Sequence, residues 1–364
     1  MTPDPLYFLS EAKKRVRAKR GLYLLLKLKG VAKVCIEYAS QRLPSYSVPE
    51  VNSGKIQRGA AVAVTFVLLL SFSTGRQIVP ANSEEEEPPA SRPIFLVGAS
   101  LPPKITAKSA YLLDLRSGFV LYDKNSALKL PPASLTKIAT ALVALNNYEL
   151  EEVVEVHPNC TFKAGESLMG LFPGEKITVR NLLRGLLIAS ASDAACALAR
   201  HHREGSMKFV EEMNDLVATL GLERTHFVNP IGLDNTLQYS TAKELTVLAG
   251  EALHNQFFQE VVKTGELNIA SADRKRWHRL ETTNDLLGEV PGILGVKTGY
   301  TAKAKEVFVF YFRAERESKE TAEDGQRQIK KGERELLGTV MGSDDRFGEA
   351  KSLLNWVLSS FLFP

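Results

Sequence analysis

A serine and a lysine three positions apart, Ser134 and Lys137 in PPASLTKI, are the residues best suited to chemistry in this chain. A serine that attacks a carbonyl needs a base, and a lysine can be that base where burial or nearby charge lowers its pKa towards neutrality. Residues three apart lie on one face of a helix, and the free N–H groups at a helix entrance can stabilise an oxyanion. The pair therefore predicts Ser134 as nucleophile and Lys137 as general base.

That spacing alone decides little, because S-x-x-K recurs at Ser10 and at Ser126. K-T-G also occurs twice, beginning at Lys263 and at Lys297. The second copy lies in GILGVKTGYT, a predicted strand on which a lysine and a threonine could meet a substrate carboxylate. The first copy follows a helical segment and is interpreted as a solvated surface feature. An ordinary strand lysine remains the alternative for Lys297.

A third element is Ser190 in IASASDAACALA, where a hydroxyl at a helix junction could relay a proton between Lys137 and a leaving amine. A cap or loop serine is the alternative. The order of the three elements is informative. S-x-x-K, then a serine about 56 residues later, then K-T-G about a hundred further on, is the pattern of β-lactamases and penicillin-binding proteins.

These residues need elements to position them. AYLLDLRSG and FVLYDKN predict two strands around a turn, and three further strands are predicted near the end of the chain, in GILGVKTGY, VFVFYF and ELLGTVMGS. Helical periodicity predicts helices between the two sets and a last helix in FGEAKSLLNWVLSSFLF. The pattern predicts an α+β fold whose N- and C-terminal strands share one antiparallel sheet.

The charge of the chain is uneven. Residues 1–58 contain twelve Lys or Arg against four Asp or Glu, a balance of +8 in a chain of 364 residues with net charge +4. The uncharged run GAAVAVTFVLLLSFSTG follows, and a basic flank before such a run places the residues beyond it outside the cytoplasm. We expect an uncleaved anchor. The basic segment is either a membrane-surface helix or the product of a start site assigned too early.

Four regions are therefore predicted: a basic segment at 1–57, a transmembrane or signal-anchor segment at 58–74, an acidic proline-containing linker at 75–98 and a catalytic domain at 99–364. The highly charged stretch between Tyr311 and Glu335 is interpreted as a long solvated hairpin loop rather than a partner-binding segment. The expected location is the cytoplasmic membrane with the catalytic domain on its extracytoplasmic face, or export if the signal is cleaved.

The cysteines and the six histidines have no metal-ligand spacing, so no metal and no cofactor are expected. A Cys160–Cys196 disulfide is possible in an exported domain, but a pair of buried free thiols is the preferred interpretation. No nucleic-acid partner is expected.

Several motifs together resemble the serine D-Ala-D-Ala carboxypeptidase family, the low-molecular-mass penicillin-binding proteins. They are PPASLTKIATALVAL, LLRGLLIASASDAACALA, THFVNPIGLDN, TTNDLLGEVPGILGVKTGYT and GSDDRFGEAKSLLNW, and they run from about Ala107 to Leu354. The resemblance implies a serine β-lactamase/transpeptidase-like fold with a mainly helical subdomain, and an acyl-enzyme mechanism. It also implies peptidoglycan stem peptides as substrate, β-lactams as inhibitors and no cofactor.

The same resemblance implies a role for each matching residue. Ser134 would attack the penultimate D-alanine, Lys137 would accept its proton and Ser190 would relay one. The substrate-binding residues would be Lys297, Thr298, Gly299, Tyr300 and Ser192, with the backbone N–H groups of Ser134 and Tyr300 forming the oxyanion hole.

Two positions depart from the family pattern. Ser192 stands where the family has asparagine; a serine can form hydrogen bonds, but it is shorter and lacks the separate N–H donor and carbonyl acceptor of an amide. Lys305 stands where the family usually has glycine, and its side chain either crowds the cleft or points to solvent. We expect an active, slow enzyme.

Three alternatives remain open. A DD-endopeptidase would use the same chemistry, and a wall-binding pseudoenzyme would explain Ser192 and Lys305. A β-lactamase would need a deacylating carboxylate, for which Glu223 is the candidate in sequence, although GLERTHFVNP lacks the E-x-x-x-N pattern.

Overall fold

The computed structural model describes residues 92–160, 166–321 and 327–363, without the side chains of 315–321 and 327–333. The predicted basic segment 1–57, the predicted membrane segment 58–74 and most of the predicted linker 75–98 lie outside the described residues. Within the described ranges, no helix combines the length and apolar character needed to cross a bilayer.

Most of the described helices lie between a first and a last group of strands. The strands are β1 Ile94–Phe95, β2 Ser109–Asp114, β3 Val120–Lys124, β4 Val153–Glu155, β5 Lys176–Thr178, β6 Glu266–Ala270, β7 Trp277–Glu281, β8 Ile293–Thr301, β9 Lys305–Thr321, β10 Arg327–Ser343 and β11 Phe361–Leu362. The α-helices are α1 Lys137–Asn147, α2 Val179–Ile188, α3 Ser192–Arg200, α4 Ser206–Thr219, α5 Ala242–Ala252, α6 Gln256–Val262 and α7 Arg346–Ser360, with 3₁₀ turns at Ala133–Thr136 and Pro158–Cys160.

The largest sheet in the described residues has five strands in the order β3-β2-β10-β9-β8, and every neighbouring pair is antiparallel. Both terminal sets of strands therefore meet in one sheet, and the predicted α+β fold is confirmed. Alternate side chains of a strand point to opposite faces. On β9, Val307 and Val309 pack with the helical part of the molecule, whereas Phe308 and Phe310 pack with α7. The central strands are thus buried on both faces.

The stretch VRNLLRGLLIASASDAACALARHH forms two helices, and the predicted helix junction at Ser190 is present in the structure. Helix α2 ends at Ile188 and α3 begins at Ser192, with Ser190 between them at φ 57°. A left-handed residue cannot continue a right-handed helix, so the chain turns sharply here. Because the chain turns here, Ser190 and Ser192 lie near the nucleophile and not on the surface of one long helix.

The solvated loop predicted between Tyr311 and Glu335 is largely strand. The β9–β10 ladder continues outward to the pair Thr321 and Arg327. Antiparallel backbone pairing satisfies the N–H and C=O groups of such a segment without needing an apolar face, which explains why hydrophobic periodicity failed to predict it.

Two other predictions need correction. Cys160 and Cys196 form a disulfide, with Cα atoms 5.4 Å apart, and are not free thiols. The bond joins the turn after β4 to α3. The boundary of the predicted linker also moves, because Ile94 and Phe95 pair with Leu362 and Phe361 in a small antiparallel sheet.

Candidate active site

The candidate nucleophile and base lie on consecutive elements. Ser134 is in the 3₁₀ turn Ala133–Thr136 and Lys137 is the first residue of α1, so one turn separates them. Lys137 Nζ donates a hydrogen bond of 3.0 Å to Ser134 Oγ. Ala133, directly before the serine, has φ 47°, and a left-handed residue other than glycine costs about 1–2 kcal/mol. Such strain is concentrated at functional sites.

Lys137 is enclosed by the protein. It is 1% exposed, and besides Ser134 it donates to the carbonyl of Ile231 at 2.9 Å and to Ser192 Oγ at 3.4 Å. Burial lowers the pKa of Lys137 to about 7, although the carboxylates of Glu166 and Asp193 oppose that shift. A neutral amine is therefore accessible near neutral pH, as a general base requires.

The carbonyl of Ile231 is held in place by a tight loop before it. The side-chain oxygen of Asn229 accepts hydrogen bonds from the backbone N–H groups of Ile231, Gly232 and Leu233. Gly232 has φ 101°, and a Cβ there would lie 2.0 Å from the carbonyl oxygen of Ala133. Only glycine lets this loop pack against the turn that carries the nucleophile.

Ser190 and Ser192 form the second wall of the site. Both are almost fully buried, and Ser192 is the one whose hydroxyl reaches Lys137. The following residue, Asp193, accepts hydrogen bonds from the N–H groups of Met169, Gly170 and Leu171. These bonds attach the segment before β5 to the start of α3. The proton relay by Ser190 stays a prediction.

The second K-T-G copy forms the opposite wall on β8. Thr298 Oγ1 lies 2.5 Å from Thr283 Oγ1, and Lys297 donates to the carbonyl of Thr298 at 3.0 Å. A Cβ on Gly299 would lie 2.8 Å from the backbone nitrogen of Ser134, so the strand runs directly beside the nucleophile. Tyr300 follows at the mouth and is 66% exposed.

Arg346 is a site residue that sequence reasoning missed. At the start of α7, its guanidinium donates to the carbonyl of Gly299 at 3.2 Å. The pKa of Lys297 lies well below its ordinary value because of burial, the charge of Lys137 and the charge of Arg346. Lys137, Lys297 and Arg346 thus lie close enough to influence one another, and such a group of basic side chains is suited to an anionic ligand.

A sequence profile of D-alanyl-D-alanine carboxypeptidases matches residues 97–320. The chain belongs to this family. D-alanyl-D-alanine carboxypeptidase DacF from Bacillus subtilis is 38% identical over 205 residues, 55% of this chain and 52% of the relative. A Streptomyces D-alanyl-D-alanine carboxypeptidase is 31% identical, over 70% of this chain and 88% of the relative. DacD from Escherichia coli is 32% identical, and the match spans 71% of this chain and 65% of the relative.

Solved structures agree with this assignment. The crystal structure of a Streptomyces DD-transpeptidase superposes with a TM-score of 0.62 at 30% identity, covering 71% of this chain and 99% of that one. A D-alanyl-D-alanine carboxypeptidase from Mycobacterium tuberculosis gives a TM-score of 0.61 at 31% identity, covering 73% and 96%. The fold of the D-alanyl-D-alanine carboxypeptidase family is therefore shared over the described domain.

Lys305, which stands where the family usually has glycine, does not fill the cleft. Its ammonium pairs with Asp344 at 2.7 Å, and its side chain is 47% exposed. The other S-x-x-K and K-T-G copies are separate from the site where they are described. Ser126 bonds to Asp123, and Lys263 is an exposed residue at the end of α6. Ser10 lies outside the described residues.

Proposed function

We propose that the protein is a serine D-Ala-D-Ala carboxypeptidase that removes the terminal D-alanine from peptidoglycan stem peptides through an acyl-enzyme, and that β-lactams acylate the same serine. The observation that carries this proposal is the 3.0 Å contact between Ser134 Oγ and the buried Nζ of Lys137. Family membership supports it. The match spans 52–88% of the three relatives named above, so the activity of the whole protein is a proposal.

In the proposed acylation step, the Ser134 hydroxyl transfers its proton to neutral Lys137 while Oγ attacks the carbonyl of the penultimate D-alanine. The backbone N–H groups of Ser134 and Tyr300 stabilise the oxyanion. The C–N bond then breaks, and the terminal D-alanine leaves as an amine that takes the proton back from Lys137. Ser190 relays that proton, and Ser192 keeps the lysine Nζ aimed at the serine.

In deacylation, a water attacks the ester and gives a proton to Lys137, and that proton returns to Ser134 Oγ as the ester bond breaks. Because water is the attacking group, the rate of deacylation depends on how well water reaches the ester.

The K-T-G wall, on β8, binds the free carboxylate of the substrate. Lys297 and Thr298 bind it, and Arg346 adds a second positive charge beside Gly299. Because burial and neighbouring charge lower the pKa of Lys297, an incoming carboxylate favours its ammonium form. Substrate binding is therefore coupled to proton uptake, and a stem peptide amidated at its C-terminus should be a poor substrate.

The reaction is tested by incubating the protein with a pentapeptide ending in D-Ala-D-Ala and measuring D-alanine release by mass spectrometry. Release by the wild-type protein and none by Ser134→Ala supports the proposal. Release of D-alanine by neither protein contradicts it. Cross-linked muropeptides in a parallel assay separate the carboxypeptidase from a DD-endopeptidase, which would cut the cross-link and leave the pentapeptide intact.

We also propose that the domain works on the extracytoplasmic face of the cytoplasmic membrane, anchored through 58–74. The uncharged run with its basic flank supports this location, and so does the Cys160–Cys196 disulfide, a bond typical of oxidising compartments. External protease added to intact spheroplasts should degrade the domain. A domain protected until the membrane is opened would contradict the proposed orientation.

A further inference from the structure

His278 on β7 is buried and has an oxygen in front of each ring nitrogen. Nδ1 lies 3.0 Å from the carbonyl oxygen of Met169, and Nε2 lies 2.6 Å from Oε1 of Glu175. The carbonyl of Met169 can only accept, so Nδ1 donates to it, and Nε2 and the carboxyl group of Glu175 share the second hydrogen bond. The two side chains are 4% and 1% exposed.

The two partners of His278 belong to the segment that supports the Ser190–Ser192 wall. Met169 donates its N–H to Asp193, the residue after Ser192. Glu175 also accepts the N–H of Phe172, which closes the turn between Met169 and β5. Through Met169 and Glu175, His278 on β7 therefore holds the same segment that Asp193 holds from the start of α3.

The strand that carries His278 continues to the opposite wall. Two residues after β7 ends, Thr283 donates its N–H to the carbonyl of Ile188 at the end of α2, at 3.3 Å. Its hydroxyl lies 2.5 Å from that of Thr298 in the K-T-G motif. Residues 278–283 thus contact both walls. His278 contacts the segment with Met169 and Glu175, which supports Ser192, and Thr283 contacts Thr298 on the K-T-G strand.

We propose that the His278–Glu175 pair is a positioning device that sets the distance between the Ser190–Ser192 wall and the K-T-G wall of the catalytic cleft. This inference rests on the proposed function. Neither residue touches the reacting atoms, and the pair acts by fixing where Ser192 and Thr298 stand relative to Ser134. A buried hydrogen-bonded pair suits this task, because removing one partner leaves a polar group of the other unsatisfied in a closed environment.

The other charged groups nearby have partners of their own. The guanidinium of Arg276 lies over the ring of Phe172 at 4.0 Å, and Arg279 pairs with Glu266 and Glu281 on the exposed side of the hairpin. Neither arginine competes for Glu175 in the structure. The effect of the pair can therefore be separated from the general charge of the hairpin.

The test compares full-length His278→Gln, Glu175→Gln and the double variant with wild type, and uses His254→Gln as a control because His254 is 58% exposed. We expect each single variant to lower kcat for D-alanine release and the rate of penicillin acylation about tenfold, since misplacement by about 1 Å costs up to about a hundredfold. KM should stay within about twofold. The double variant should lose no more than either single one, because the pair acts as a unit.

A readout independent of activity is the ¹⁵N NMR spectrum of histidine-labelled protein at neutral pH, with His278 assigned from its variant. In wild type the Nδ1 and Nε2 signals should both show hydrogen bonding, and Glu175→Gln should shift the Nε2 signal while the Nδ1 signal stays in place. An Nε2 signal that Glu175→Gln leaves unchanged, losses that add in the double variant, or unchanged rates in folded variants would each overturn the inference. If wild type itself releases no D-alanine and takes no penicillin, the proposed function fails first and the inference fails with it.

Discussion

A Cβ atom on Gly299 would lie 2.8 Å from the backbone nitrogen of Ser134, closer than such atoms approach in proteins. The K-T-G strand is therefore in contact with the turn that carries Ser134. This contact requires glycine at position 299, because any larger residue would clash. This contact brings the strand directly before Tyr300 beside the backbone of Ser134, and the proposed oxyanion hole uses the N–H groups of these two residues.

Replacing Gly299 with alanine should lower the rate of penicillin acylation about tenfold to a hundredfold, because either the strand or the turn must move. Stopped-flow measurement with a fluorescent penicillin checks this. The matched control is Gly265→Ala in the other K-T-G copy, where a Cβ would meet no atom within 4 Å. Equal effects of the two substitutions would show that the close approach does not matter.

The pH dependence of acylation should follow Lys137. Its pKa of about 7 means that the amine is mostly protonated, and unable to accept a proton, below that pH. At saturating penicillin, the acylation rate should therefore fall about tenfold per pH unit below 7 and level off above it. The pH profile of the acylation rate measures this directly. A rate that stays constant from pH 5 to 8 would rule out Lys137 as the base.

Glu166 should influence that profile although it is exposed. Its carboxylate raises the pKa of Lys137, so Glu166→Gln should move the rising limb of the profile to lower pH. Glu223 is also exposed but is not among the groups that act on Lys137, which makes Glu223→Gln the matched control. A shift towards higher pH in Glu166→Gln, or an equal shift in both variants, would contradict this electrostatic account.

The sheet and the catalytic order were predictable from the sequence for identifiable reasons. Two terminal groups of apolar strands predicted the antiparallel sheet, and the order of S-x-x-K and K-T-G predicted Ser134, Lys137 and Lys297 as site residues. The structure brings the K-T-G strand beside the turn of Ser134, and the roles of these residues stay predictions. What failed depended on contacts between distant residues. Arg346 reaches Gly299 from α7, and His278 reaches Glu175 across about a hundred positions of chain, and no local periodicity records either contact.

The disulfide illustrates the same limit. Cys160 and Cys196 are separated by 36 positions, and their proximity depends on how α3 packs beside the turn after β4. The sequence allowed the bond, but the preferred interpretation, two buried free thiols, was wrong. The long β9–β10 ladder escaped prediction because backbone pairing, rather than an apolar face, extends it.

Removing the disulfide should destabilise the domain by roughly 3–4 kcal/mol, the loop-closure entropy expected for a loop of this length. Chemical denaturation of wild type with and without reductant, beside a Cys160→Ser and Cys196→Ser double variant, measures it. Reductant should lower the midpoint of wild type and leave the double variant unchanged. A wild-type midpoint insensitive to full reduction would contradict a structural role for the bond.

Lys305 should be dispensable for catalysis. Because its ammonium pairs with exposed Asp344, Lys305→Gly should change the acylation rate by less than about twofold. Lys297→Ala, in contrast, should lower the rate for carboxylate-bearing penicillin by at least about a hundredfold, since it removes a buried cation from the carboxylate site. A large gain in activity on removing Lys305 would mean that its side chain does obstruct the cleft.

The central claim is that Ser134 forms the acyl-enzyme, and labelling with a fluorescent penicillin tests it most directly. Full-length wild type and Ser134→Ala, each shown to be folded by circular dichroism, are incubated with the label, and the modified peptide is located by mass spectrometry. The account predicts one adduct, on Ser134, that unlabelled penicillin prevents and that Ser134→Ala lacks. A folded wild-type protein that takes no label, or a Ser134→Ala protein labelled to the same extent, would contradict it.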